Sequence, residues 1–389
     1  MKLNPSKIKK ALKIGVIALV IFVVGGAGGV FFDQKVLPFM RTNRYLSKID
    51  FLKHVAENVT VIRTTEQVTI KDGESINEIS SQASNATVNI VSLSNQKDPI
   101  SKLTKKNNRT GTGVIVTSDG MIVTYREAIF EKDATYKVFL YDGSYYDATL
   151  VGIDTFTDLA YLKVAAPNLT AISFGDSSAL QSGKKLVAIG NTFGEYQNSY
   201  AAGLLSNVNK TFNLGGLALA STEKYEGVFE MDFNNQEKYL GGPIINYNGE
   251  LIGLVGKLTM DGRDYFFEIP SSEIQKSMSV ALGANFDQRP FFGAYYISIS
   301  KEYAMVNELK RDRGALIFSP SGKQGLAIIA DSPAEKAGLK IGDIVTAVNG
   351  KEVDIDNPLS NLINQYKKGD DIELTVQRAE NEIKIPVKL

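Results

Sequence analysis

Cysteine is absent from the 389 residues, which at once excludes disulfides, thiolate metal sites and a cysteine nucleophile. The fold must stand on packing alone. Histidine is almost absent as well. The single imidazole is His54, and because imidazole is the usual general base near neutral pH, its place in the chain constrains any catalytic scheme. Excess charge of either sign is also missing: 43 Lys and Arg balance 43 Asp and Glu. No global field therefore draws the protein to nucleic acid or to acidic substrates. The length exceeds that of one ordinary domain and suits an anchor with two compact units, each large enough for its own core.

The chain does have one long apolar run. Ile14 to Phe32 carries no charge, and Lys2, Lys7, Lys9, Lys10 and Lys13 precede it. At 1.5 Å per helical residue such a run spans a bilayer core of about 30 Å. The spacing predicts a transmembrane helix over 14–32, with the basic tail 1–13 in the cytoplasm and the rest of the chain on the far side. A cleaved signal peptide is the competing reading. The run is longer than a signal core, and no small-residue cut site followed by polar sequence is evident. Residues 33–75 read as a spacer with one alternating stretch, Val59 to Ile70, and contain His54 as a solvated linker residue.

From 76 to 281 short β-runs alternate with turn dipeptides, among them Asp119-Gly120, Asp142-Gly143 and Asn248-Gly249. Many short strands at close spacing predict an all-β barrel or sandwich. A second, smaller α/β domain is expected over 289–389. In it Ser332, Pro333 and Gly338 bracket a short helix as cap, first residue and stop. A second helix is predicted from Pro358 to Tyr366, with Leu359, Leu362, Ile363 and Tyr366 at helical spacing. Neither an internal repeat nor a low-complexity tract interrupts this order.

Several segments resemble the HtrA family in matching order: GTGVIVTSDGMIVT, DGSYYDATLVGIDTFTDLAYLKV, FGDSSALQSGKKLVAIGNTFG, GGPIINYNGELIGL, FEIPSSEI and DSPAEKAGLKIGDIVTAVNGKEV. The match runs over roughly 76–389. It implies a mostly β protein: a chymotrypsin-like double β-barrel followed by a PDZ domain, behind the N-terminal transmembrane helix. Family members use a Ser-His-Asp triad, in which serine attacks the peptide carbonyl, histidine takes its proton and aspartate orients the imidazole. The aspartate matches Asp158, in Thr157-Asp158-Leu159-Ala160. The histidine position matches Glu127, and the serine position matches Leu240 in Lys238-Tyr239-Leu240-Gly241-Gly242-Pro243. No serine lies between Ser221 and Ser271, so no small shift of alignment restores a hydroxyl there.

With two of three triad roles filled by other residues, the resemblance implies a chain that is not an enzyme. The expected function is that of a pseudoprotease anchored in a bacterial plasma membrane, its folded domains outside the cytoplasm. It would bind peptide C-termini or unfolded proteins through the PDZ domain and the vestigial cleft of Glu127, Asp158 and Leu240. Two alternatives stand beside it: a working serine endopeptidase in envelope protein quality control, and a non-catalytic subunit of an HtrA-type trimer, homomeric or mixed. Neither cofactor, metal nor nucleic acid is expected. The PDZ resemblance makes Phe291, Phe292, Gly293 and Ala294 the carboxylate-binding loop, with Gly293 as the strongest member. Leu362 then becomes a candidate wall of the side-chain pocket, beside Leu359 and Ile363. For the two phenylalanines and the helix leucines, ordinary core packing is the competing reading.

Overall fold

Six strands, β1 (Thr87–Lys97), β2 (Thr104–Ile115), β3 (Met121–Tyr125), β4 (Ala134–Phe139), β5 (Tyr145–Asp154) and β6 (Leu159–Val164), close a barrel in the order β1-β2-β3-β6-β5-β4. The closing seam is antiparallel, β1 against β4, with Asn89 opposite Phe139. Asp119-Gly120 turns β2 into β3, and Asp142-Gly143 turns β4 into β5, as expected of residues that tolerate positive φ. Ile90, Ile115, Ile122, Val138 and Leu162 fill this barrel. The computed structural model describes residues 83–97, 104–191, 197–216, 219–322 and 326–389, together with Gly25 and Gly28. The predicted transmembrane run 14–32, apart from those two glycines, and the spacer with its strand and His54 lie outside the described residues. Among the described residues no helix is long and apolar enough to cross a membrane.

A second closed barrel follows, built from β7 (Lys185–Gly190), β8 (Ser199–Asn213), β10 (Glu226–Asp232), β11 (Pro243–Ile245), β12 (Leu251–Met260) and β13 (Arg263–Pro270). Leu186, Leu205, Met231, Ile252 and Val255 are buried in it. A larger core draws on both barrels, with Tyr125 of β3 edge-on to Phe267 of β13 at 5.9 Å between ring centres. The short strand β9 (Ala220–Ser221), between β8 and β10 in the chain, leaves the barrel altogether. Helix α1 (Ser271–Leu282) closes the segment and buries Ile274, Ser277 and Ala281 along one face. The sequence reading leaves this stretch without a helix, because a serine occupies a central buried position and breaks the apolar period.

Arg289 ties the passage into the next domain to the first barrel. Its Nε donates to Asp154 Oδ1 at 3.1 Å, and the guanidinium lies 5.1 Å from the centre of the Phe156 ring. Beyond it come β14 (Tyr295–Ser298), α2 (Lys301–Val306), β15 (Ala315–Ile317), α3 (Pro333–Lys336), β16 (Ile344–Val348), β17 (Lys351–Glu352), α4 (Leu359–Ile363), β18 (Asp371–Arg378) and β19 (Asn381–Lys388). The sheet runs β19-β18-β16-β15-β14-β9, with β17 paired to β16. Its outermost strand on one side is therefore borrowed from residues 220–221, within the barrel segment of the chain. Helix α3 has the predicted cap, Ser332 Oγ accepting from Glu335 N at 3.2 Å, with proline in the first turn. The predicted 358–366 helix is shorter, closing at Ile363.

Candidate functional site

Two places converge the residues singled out in the sequence. The first lies at the meeting of the barrels. Strand β3 ends at Tyr125 and passes into a 3-10 turn, Arg126–Ala128, which carries Glu127. The turn is pinned to the β5–β6 connection by Arg126 N donating to Asp158 O at 2.9 Å. Asp158 sits there at φ 54, a left-handed conformation that short polar side chains accept more readily than bulky ones. Its carboxylate is nearly buried and faces two cations of the chain. Lys224 Nζ lies 2.7 Å from both oxygens, and Arg126 Nη1 3.2 Å from Oδ1. Lys224 also donates to Thr155 O at 2.9 Å, so its ammonium is held on three oxygens.

Glu127 takes a separate partner, Lys257 of β12, at 3.5 Å, and Lys257 reaches Asp264 at the same distance. The two carboxylates of the cleft thus pair with different cations. Leu240 follows a second 3-10 turn, Gln236–Tyr239, and is 7% exposed within the shared core. Its carbonyl accepts from Thr112 N of the first barrel at 3.0 Å, and Gly241 N donates to Val255 O at 2.9 Å. Gly241 has φ +75, and a Cβ there would lie 2.3 Å from Thr112 O, so only glycine fits between the two barrels. The amides of Lys238 and Leu240, which flank the turn where an oxyanion would be held, donate to Asn235 O at 2.9 Å and Glu237 O at 3.3 Å.

The second place is the loop before β14. Phe292, Gly293 and Ala294 are buried, while Phe291 is 44% exposed. Gly293 has φ +85, and a Cβ there would meet Ser332 Cβ at 2.4 Å. This geometry turns the amides of Phe292 and Gly293 to the same side. They converge on one oxygen, Oε1 of Glu223, at 3.0 and 2.8 Å. Beside the loop, Thr222 N donates to Ala294 O at 3.0 Å, and Ala294 N donates to Thr222 Oγ1 at 3.1 Å. Leu362, with Leu359 and Ile363, lies in the core of the sheet; Leu362 also borders a cavity with Glu226, Asn361 and Gln365.

Glu226, next along the same segment, is buried beneath β14. Its carboxylate accepts from Tyr296 Oη at 2.5 Å and from Ser298 Oγ, and its backbone is bracketed by Asn361 of α4. Burial pushes this carboxyl up to about 7, a rise that the hydroxyl donors only partly offset. Glu223, Lys224 and Glu226 were all missed by reasoning from sequence. Their partners are backbone amides, Asp158 and Tyr296, each far away in the chain, and no local period marks them.

Comparison with known proteins places this geometry. Residues 111–254 match the trypsin-like peptidase domain and residues 305–389 the PDZ domain. The probable periplasmic serine endoprotease DegP-like of Chlamydia trachomatis is 33% identical over 280 residues, 71% of this chain and 53% of the relative. Its counterpart in Halomonas elongata is 34% identical over 274 residues, 69% and 53%. The chain thus spans about half the length of the curated relatives it matches. Among solved structures, the HtrA-type protease AlgW with decapeptide gives a TM-score of 0.60 at 23% identity over 80% of this chain and 97% of that one. AlgW with tripeptide gives 0.62 at 23% identity, over 80% and 95%. At that identity the likeness concerns the fold. The expectation that the chain is not an enzyme is corrected by these relatives. They are named serine endoproteases, the chain groups with them, and no finding sets it apart as inactive. With its two closed barrels and the domain and relative matches, the chain belongs to the HtrA/Deg family of trypsin-like peptidases carrying a PDZ domain.

Proposed function

We propose that this chain is an HtrA-type protein of the cell envelope that recognises peptide C-termini through the loop Phe291–Ala294. One observation carries the reading. Two backbone amides of that loop, at 3.0 and 2.8 Å, hold a carboxylate in a setting where a strand adds to the edge of β14. Backbone amides around a glycine, next to a strand that takes up a pairing partner, are what strand-addition recognition of a terminal carboxylate requires. Under the same proposal, residues 14–32 anchor the chain, 76–281 form the barrel domain and 289–389 the PDZ domain, in assemblies of three. The periplasmic location in the relatives' names supports folded domains outside the cytoplasm.

The test is titration of the full-length chain with fluorescein-labelled peptides bearing either a free or an amidated C-terminus. Free carboxylates are expected to bind at least about tenfold tighter, a difference of about 1.4 kcal/mol. Equal affinity for the two forms would remove the carboxylate from the recognition and the proposal with it. Gly293→Ala is expected to lose binding, since it displaces the amide pair. Carbonate extraction of cell membranes, followed by crosslinking, examines the anchor and the trimer.

A second reading, a serine-type endopeptidase as the relatives are named, draws support from the double barrel and from Asp158 in its family position. Because Glu127 and Leu240 stand at the other two triad positions, base and nucleophile would come from other groups of the chain. Casein cleavage that follows the purified protein and is lost in Asp158→Ala supports this reading; cleavage unchanged in that variant speaks against it.

A further inference from the structure

The carboxylate loop already has a ligand, and the ligand belongs to the same chain. Ala220 and Ser221 pair antiparallel with Tyr296 and Tyr295, so the segment runs along β14 towards the loop at Phe291–Ala294. Thr222 continues the ladder by donating to Ala294 O, and the next residue, Glu223, delivers its side-chain carboxylate to the amides of Phe292 and Gly293. Helix α4 flanks the other side, Asn364 Nδ2 donating to Thr222 O at 3.2 Å. Direction, register and charge are those of a peptide ending in the groove, with a side-chain carboxylate in place of a terminal one.

The segment is also built to stay. Asn213, 1% exposed, donates to Ser221 O at 3.1 Å and Lys224 O at 3.0 Å and accepts from Ser221 N at 3.2 Å, fixing both flanks of the turn. Ser221 Oγ and Thr222 Oγ1 both donate to the Glu223 carboxylate, at 3.1 and 2.8 Å, and aim it. A tethered ligand of this kind acts at a high effective concentration, so an incoming peptide meets a groove that is open for only a fraction of the time.

We propose that Ala220–Glu223 is a built-in competitor of the peptide groove, with Glu223 standing in for a terminal carboxylate, so that ligand binding requires its displacement. This rests on the reading of Phe291–Ala294 as a peptide-carboxylate loop. A ligand would enter as a strand on β14, its last residue aligned with Thr222 and its own carboxylate taking the amides that Glu223 now holds.

The experiment uses the full-length chain, native and as Glu223→Ala, with Thr222→Val as a second variant that removes the bond to Ala294 N while keeping the charge. Hydrogen exchange reads the Phe292 and Gly293 amides. The binding probe is a fluorescein-labelled peptide with the sequence of residues 217–222, LALAST, with a free C-terminus. Exchange at both amides is expected to quicken by about tenfold or more in Glu223→Ala. Probe affinity is expected to rise by a similar factor, because the competent fraction of the groove grows. Thr222→Val should move both in the same direction by less. Unchanged exchange at Phe292 and Gly293 overturns the inference whatever the peptide does; unchanged exchange with clear probe binding leaves the peptide-binding reading intact. Faster exchange with no probe bound by any form upholds the internal contact and counts against peptide binding instead.

Discussion

The cleft between the barrels and the groove beside β14 answer the same electrostatic problem with opposite charges. In the cleft a carboxylate of the scaffold, Asp158, is met by cations, Lys224 and Arg126. In the groove the scaffold offers positive amide dipoles at Phe292 and Gly293, and a carboxylate, Glu223, meets them. The two counter-groups, Glu223 and Lys224, are consecutive residues at a turn of the chain, and their side chains reach different sites. A single short segment therefore neutralises both sites. What differs is how much change each tolerates: the groove depends on backbone geometry that one methyl group would ruin, while the cleft depends on side chains that retain some access to water.

The largest effect that would break this comparison is expected from Gly293→Ala. Positive φ with a Cβ at 2.4 Å from Ser332 Cβ combines backbone strain and overpacking, and should cost about 4 kcal/mol in urea unfolding followed by circular dichroism. The next concerns Glu226, whose ordinary value of 4.5 is raised to about 7. At pH 4 the carboxyl is largely protonated folded or unfolded, and its burial costs little. Between about 4.5 and 7 the unfolded chain ionises while the folded one stays protonated, so stability falls as pH rises and levels off above 7. The loss should reach about 3 kcal/mol, and Glu226→Gln should flatten that part of a pH series of thermal melts.

Asp158→Ala should cost about 2 kcal/mol, since it leaves two partly buried cations without their shared acceptor. Its signature is salt dependence: added sodium chloride should narrow the gap to the native chain. The smallest effect is expected from Glu127→Ala, below about 0.5 kcal/mol, because its contact with Lys257 is long and open to solvent. A chevron analysis able to resolve that difference would sharpen the contrast between the two carboxylates of the cleft. A cost above about 2 kcal/mol at Glu127, well beyond the range of an exposed ion pair, would instead mean that the cleft tolerates change no better than the groove.

Much of the barrel fold was legible because its instructions are local. Asp119-Gly120, Asp142-Gly143 and Asn248-Gly249 turn the chain between neighbouring strands, and DSPAEKAGLKIGD carries the cap, stop and turn of the second domain within a few residues. The cleft positions Glu127, Asp158 and Leu240 rest on the resemblance to HtrA motifs, since no period or turn signal of the chain singles them out. The occupation of the groove was not. A two-residue strand has no alternation to detect, and the contact of Glu223 with Phe292 and Gly293 spans about seventy residues of chain. Leu362 illustrates a different limit: helical spacing marks an apolar face but not whether its neighbour is the core or a ligand. The apolar run at 14–32, apart from Gly25 and Gly28, and the spacer after it fall outside the described residues.

Strand β9 has one more consequence. Without it β14 would end its sheet, and a bare sheet edge offers a row of amides and carbonyls that can recruit strands from neighbouring molecules. With Ala220 and Ser221 paired to it, that row is satisfied within the molecule. An arriving peptide strand would pair with β14 in place of this cover, so the edge is bare only in the fraction of time between the two. The borrowed strand thus protects the protein from sticking to its own copies, and resistance to aggregation becomes part of the same few residues' work.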